Sequence, residues 1–160
     1  MSMFYKKDKN SSKRSLFILF FVLIFFGIGV RVWQRYHWPT TTVRLKGAPL
    51  ELLVADTPAR QTLGLGKRDS LAPYDGMIFI FGVSDRYGFV MRGMRFPIDI
   101  VWLSDGVVVD IAPSVPIEPG VPEADLRVYY PRLKANTVIE LPAGWAEGHG
   151  LKIGDELKGT

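Results

Sequence analysis

The sequence predicts a mainly β protein: a compact antiparallel barrel or sandwich with one short helix, preceded by one N-terminal transmembrane helix. Three observations carry that prediction. From residue 42 onward, short apolar or alternating runs recur between Gly, Pro and Asp-Gly turn signals. Only "DTPARQTLG" (residues 56–64) combines a helix-starting cap with a helix-ending glycine in that region. "LFILFFVLIFFGIGV" (residues 16–30) is an unbroken apolar run. Repeated strand–helix crossovers find no room, which excludes a dinucleotide-binding sheet.

The apolar run predicts the domain organisation. Taken from Ser15 to Trp33, with Arg31 snorkelling outward, a helix here is about 28 Å long, enough for the hydrocarbon layer. Lys6, Lys7, Lys9, Lys13 and Arg14 precede it, against Arg31 and Arg35 just after it, so the N-terminus is expected in the cytoplasm. The expected layout is a basic cytoplasmic segment (1–14), a signal-anchor helix (15–33), a linker (34–41) and an extracytoplasmic β domain (42–160). A cleaved secretory peptide is the rival reading. Against it, the exit "GIGVRVWQR" lacks a small-x-small site and its aromatics suit a membrane interface. Localisation is therefore expected at the cytoplasmic membrane, single-pass.

The sequence has a pI of about 9.4, but its charge is unevenly divided. Residues 1–38 hold seven Lys and Arg against one acid, a net of +6, whereas residues 39–160 hold thirteen against fifteen, a net of −2. The domain has no overall positive field for phosphate backbones, so no nucleic-acid partner is expected. The chain lacks cysteine, which excludes lipid attachment through a thiol. No disulfide is needed, because a domain of about 120 residues buries most of its surface unaided.

Within the domain, "TVRLK" and "PLELLVAD" flank Gly47-Ala48 as a hairpin. Asp56 or Thr57 caps the short helix, Pro58 opens it and Gly64 ends it. After the turn Pro73-Tyr74-Asp75-Gly76, "MIFIFG" is apolar on both faces and so is expected to be covered on both. "IDIVWL" and "VVVDIA" flank Ser104-Asp105-Gly106, where Asp-Gly suits a tight hairpin turn. Prolines 113, 116, 119 and 122 recur at the period of a polyproline II helix and predict an extended strap with one proline ridge. "TVIELP", a turn or single helical turn in "AGWAEGHG", and a last strand in "LKIGDELK" complete the domain.

These blocks, in this order, resemble a known family. Gly64-Leu65-Gly66-Lys67-Arg68, Gly76-Met77, Pro97-Ile98-Asp99, Glu140-Leu141-Pro142-Ala143-Gly144 and Gly154-Asp155 match the outline of the domain of unknown function 192 family, over about residues 43–157. The resemblance implies a small, mainly β, frequently exported domain with no established biochemical activity. Where the family often has Trp, Lys, Asn and Thr, this sequence has Val90, Arg92, Gly93 and Met94, so the polar side chains at 93 and 94 are missing.

The chemistry follows from what is absent as much as from what is present. With two histidines, His37 and His149, and no serine in a nucleophile-elbow pattern, neither a Ser-His-Asp triad nor a histidine zinc site is supported. Gly93 and Pro97 predict a bend between a strand ending near Met91 and one starting at Ile98. Asp99 then sits in an apolar strand, where burial without a partner costs several kcal/mol; Arg68, Arg92 or Arg95 is the expected partner. Asp99 and such an arginine either pin the bend or line a ligand pocket, for which Arg68, Phe89, Met91, Arg92 and Asp99 are the candidate residues. Glu140 is a second acid in an apolar strand, and with Asp99 it makes a candidate acid/base pair. Met91 and Met94 are candidate thioether ligands for Cu(I). No cofactor is expected. The reading that joins these observations is a membrane-anchored, non-enzymatic binding or accessory module, with an envelope glycan, a small anion or another membrane protein as partner. An acid/base enzyme and a Cu(I)-binding domain are the rivals.

Overall fold

A computed structural model describes residues 16–27, 29 and 38–159. The chain divides into two units, residues 1–38 and 39–160. In the first, residues 16–27 are helical and exposed. Among the described residues no helix is long and apolar enough to cross a membrane. Of the span expected over 15–33, residues 15, 28 and 30–33 lie outside the described residues.

The second unit is a seven-stranded sheet made from β1 (Thr40–Leu45), β2 (Ala48–Ala55), β3 (Gly76–Asp85), β4 (Ile98–Ser104), β5 (Val107–Val115), β6 (Ala135–Pro142) and β7 (Leu157–Gly159). Their order across the sheet is β5-β4-β6-β3-β2-β1-β7. The two edges approach each other at one end. Val108 N–H donates to Asp155 C=O at 2.8 Å, and Gly154 N–H to Val108 C=O and Leu157 N–H to Gly106 C=O, both also at 2.8 Å. The sheet thus curls into a half-barrel whose two edges are tied at that end, which leaves fewer bare edges for other chains to pair with.

Mainly β architecture matches the sequence expectation, but the sheet is mixed rather than purely antiparallel. β2 and β3 run parallel, with Leu52 opposite Gly76 and Ala55 opposite Phe79. The connection between them holds α1 (Pro58–Leu63), so β2-α1-β3 is a crossover of the kind parallel strands require. A helical turn, α2 (Trp145–Gly148), lies in the stretch 143–150 where a turn or single helical turn was expected, and a 3₁₀ turn over Glu123–Asp125 adds to the expected elements.

Local signals explain most boundaries. Thr57 caps α1 by accepting the Arg60 N–H at 3.4 Å, Pro58 occupies its first turn, and Gly64 ends it. The β4–β5 turn uses positive φ at Asp105 (49°) and Gly106 (81°); the β1–β2 turn does the same at Lys46 (53°) and Gly47 (80°), one residue earlier than expected. Two expectations are corrected. No strand ends near Met91: residue 89 makes only an isolated bridge to Tyr129, followed by a turn at Arg92-Gly93. The proline ridge does not form either, because Pro113 lies in β5, Ser114 has φ of 49° and Gly120 turns the chain with φ of 75°.

Apolar residues are buried on both sides of the central strands. One face forms the barrel interior, with Leu45, Leu50, Leu52, Ile78, Val101, Leu103, Ile139 and Leu141 in one cluster. On the other face Leu53, Met77, Phe79, Ile98, Ile100, Trp102 and Val138 are equally buried. That second face is covered by the segments 56–75, which holds α1, and 86–97, which bring in Leu65, Leu71 and Met91. These segments are tied together where Lys67 N–H donates to Gly93 C=O at 2.8 Å. A Cβ on Gly66 would lie 2.7 Å from the Arg92 carbonyl oxygen, so only glycine lets the backbones approach this closely.

Candidate functional site

Asp99 and Glu140 are near neighbours in the sheet but face opposite ways. On the paired strands β4 and β6, Asp99 stands across from Leu141 and Ile100 from Glu140. Side chains alternate along a strand, so Asp99 shares the interior face with Val101 and Leu141 while Glu140 shares the outer face with Ile100.

Asp99 is completely buried and fully engaged. Its Oδ1 accepts the Ser114 N–H at 2.7 Å and the Gly144 N–H at 3.1 Å, and its Oδ2 accepts the Ala146 N–H at 2.7 Å. A bulge in β5, where Val115 pairs with Ile98 but Ala112 with Ile100, turns the Ser114 amide out of the ladder and toward this carboxylate. Asp99 therefore joins β4, β5 and the start of α2 through backbone amides. The arginines expected as its partners are engaged elsewhere. Arg92 donates from Nη1 to Glu123 Oε1 at 2.5 Å and from Nη2 to the Thr62 carbonyl at 2.8 Å, and Arg95 pairs with Asp69. Arg68 is half-buried, and burial pulls its guanidinium below the ordinary arginine value, with Tyr74 acting in the opposite direction.

Glu140 has a different environment. Only 5% exposed, its side chain leaves Oε2 with no hydrogen-bond partner. Burial pushes its carboxyl up from 4.5 to about 8. The reason is desolvation: a carboxylate in apolar surroundings without a compensating charge or donor is less stable than the neutral acid.

Glu140 contributes to the lining of a cavity of about 340 Å³ between α1, β3 and the segment 87–94. Its walls include Phe79, Phe81, Tyr87 and Phe89, with Gln61, Leu65, Arg92 and Met94 around them. Phe81 and Tyr87 stack with ring centroids 3.7 Å apart, and Phe89 meets Phe79 edge-on at 4.9 Å. Most of the donors nearby are already used. Gln61 Nε2 donates to the Ile80 carbonyl at 2.8 Å, the Tyr87 hydroxyl to the Val83 carbonyl at 2.7 Å, and Trp102 Nε1 to the Tyr87 carbonyl at 3.1 Å.

Of the candidate site residues, Phe89, Arg92, Met94 and Glu140 line this cavity, and Arg68, Met91 and Asp99 do not. Met91 is buried in the layer beneath, while Met94 reaches the wall. An acid/base pair needs both carboxyls in one cleft, and Asp99 and Glu140 on opposite faces of the sheet do not supply it. Among the described residues no group of three or more His, Cys, Asp or Glu is placed to hold a metal ion. Sequence reasoning singled out Phe89, Arg92, Met94 and Glu140 but missed Gln61, Phe79, Phe81 and Tyr87 as walls of one cavity. Aromatic residues at positions 79, 81, 87 and 89 were the available signal.

Comparison with known proteins yields a family rather than an activity. The profile of DUF192, described as "Uncharacterized ACR", matches residues 41–159. A crystal structure from Sinorhizobium meliloti 1021, described as a candidate transcription regulator, is similar with a TM-score of 0.66 and 28% identity; the match covers 76% of this chain and 95% of that one. A crystal structure of a protein of unknown function from Novosphingobium aromaticivorans DSM 12444 is similar with a TM-score of 0.62 and 29% identity, covering 76% and 84% of the two chains. No curated protein matches. With the family profile spanning the whole β unit, the chain belongs to the DUF192 family of uncharacterised proteins.

Proposed function

We propose that this protein is a non-enzymatic small-molecule-binding module whose ligand occupies the aromatic cavity over Glu140. One observation carries the reading: a buried glutamate with an unpartnered carboxyl oxygen belongs to the lining of a preformed cavity. An orphaned buried polar atom costs about 1–3 kcal/mol, and a ligand that supplies a partner relieves it. Aromatic walls, few polar groups and a volume at the lower end of the range for small-molecule sites agree with that role. Catalysis finds less support, because the second acid that such chemistry would use is turned away and held by three amides.

Although the S. meliloti structure is described as a candidate transcription regulator, the charge of this chain gives DNA binding no support. Residues 39–160 hold thirteen basic against fifteen acidic residues, which gives no basic surface field. We also propose attachment to the cytoplasmic membrane through residues 15–33, with the β unit outside; the apolar run and its basic flank support this. A periplasm-active reporter fused after Thr160 of the full chain should then be active, and activity of a cytoplasm-only reporter at the same place would contradict it.

Binding is tested by a thermal-shift screen of the full chain in non-ionic detergent against amines, alcohols, carboxylates, sugars and metals. A true ligand at a hundred times its dissociation constant adds ~2.7 kcal/mol and raises the melting temperature. A screen in which no class raises it contradicts the binding reading.

A further inference from the structure

Glu140 and Arg92 are the only acidic or basic side chains lining the cavity among the described residues, and they are not equivalent. Arg92 stands exposed, with its guanidinium committed to Glu123 and to the Thr62 carbonyl. An incoming anion would have to displace Glu123 or leave its own charge unmatched. Glu140 offers the reverse: an acceptor oxygen without a donor. The nearby side-chain donors of Gln61, Tyr87 and Trp102 already serve backbone carbonyls, which leaves a ligand as a source of the missing donor. Four aromatic rings share the lining of the cavity with Glu140, and aromatic faces attract cations by about 0.5–1 kcal/mol at exposed sites and ~2 kcal/mol where the contact is desolvated.

We propose that the cavity binds a small organic cation, a protonated amine on an apolar or aromatic body, which donates its ammonium hydrogens to the Glu140 carboxylate. This inference rests on the binding reading above and names the ligand class. In the free protein at neutral pH the carboxyl holds its proton, and when an ammonium ion enters, the carboxyl ionises against it and one proton leaves to solvent. Affinity for the ammonium form therefore rises with pH, by up to about tenfold per unit while Glu140 is protonated in the free protein. The other titratable groups on the cavity are Arg92 and Tyr87, both already hydrogen-bonded; Met77 and Ile100, opposite Glu140 on its two flanking strands, carry no charge.

Three probes of nearly equal shape test the class on the full chain in a non-ionic detergent: benzylamine, benzyl alcohol and benzoate, by isothermal titration calorimetry. The expected result is benzylammonium bound at least about tenfold more tightly than benzyl alcohol near pH 8, with benzoate weakest and benzylammonium affinity falling toward pH 6. Glu140→Gln, which keeps the shape, should abolish the preference for the amine while benzyl alcohol still binds. If that variant does not fold, the unaltered chain decides: titrations in two buffers of different ionisation enthalpy should show proton release on binding the amine and none on binding the alcohol. Equal binding of all three probes, or tighter binding of benzoate, overturns the cation class and leaves the cavity a binding site. No binding by any probe, together with an empty thermal-shift screen, overturns both.

Discussion

Asp99 and Glu140 are both acids set in apolar strands, and their different surroundings follow from what meets each side chain. Three backbone amides converge on Asp99 and satisfy both of its carboxyl oxygens. Replacing it with alanine leaves those amides buried without an acceptor. Asp99→Ala is expected to cost about 3–5 kcal/mol in urea unfolding, whereas Asp69→Ala, which breaks an exposed pair with Arg95, should leave the midpoint unchanged within error. Glu140 makes stability depend on pH in the opposite sense to a typical carboxylate. Its folded value of about 8 lies above its unfolded 4.5, so the native state holds a proton that the unfolded chain has lost. The contribution is fully present below the unfolded value and declines as pH rises through the folded one, by up to ~1.4 kcal/mol per unit between those limits. Glu140→Gln should remove this slope. Melting curves taken from about pH 5 to 8 should therefore show the variant gaining on the native chain as pH rises.

At the scale of elements, the sheet owes its shape to short local signals, while the cavity owes its shape to contacts distant in sequence. Asp105-Gly106 and the cap and stop residues of α1 were legible because turn and cap chemistry resides in neighbouring residues. The parallel pairing of β2 with β3 had a signal too, a helix between two strands, but Gly76 and Leu52 meet only through tertiary structure. Asp99 and Glu140 were both legible as acids out of place in apolar strands. The partners of Asp99 were not, since they are main-chain amides 15, 45 and 47 residues away and carry no residue signature. The seal between the segment after α1 and the turn at Arg92-Gly93 depends on Gly66. Gly66→Ala should push the two backbones apart and cost roughly 1–3 kcal/mol through steric overlap. Chemical unfolding checks the cost. Faster exchange of the Lys67 amide, which donates to Gly93, checks its location.

For the molecule as a whole, a curled sheet with two apolar faces gives the chain two tasks for two layers. The barrel interior provides the dry core that holds the strands in register. The outer layer, closed by irregular segments instead of a second sheet, leaves space against Phe79 and Glu140. Charge is divided in a similar way, with the basic residues concentrated before residue 39 and a near-neutral β unit after it. Central to the proposed binding is that Glu140 is a protonated acid in a cavity that accepts a cation. The direct measurement is a carboxyl-carbon NMR titration of Glu140 in the full chain, with and without saturating benzylamine. In the free protein its resonance should titrate near 8, and with the amine bound it should remain ionised to well below pH 7. A free-protein titration in the ordinary glutamate range near ~4.3, or a value unmoved by the bound amine, would contradict it.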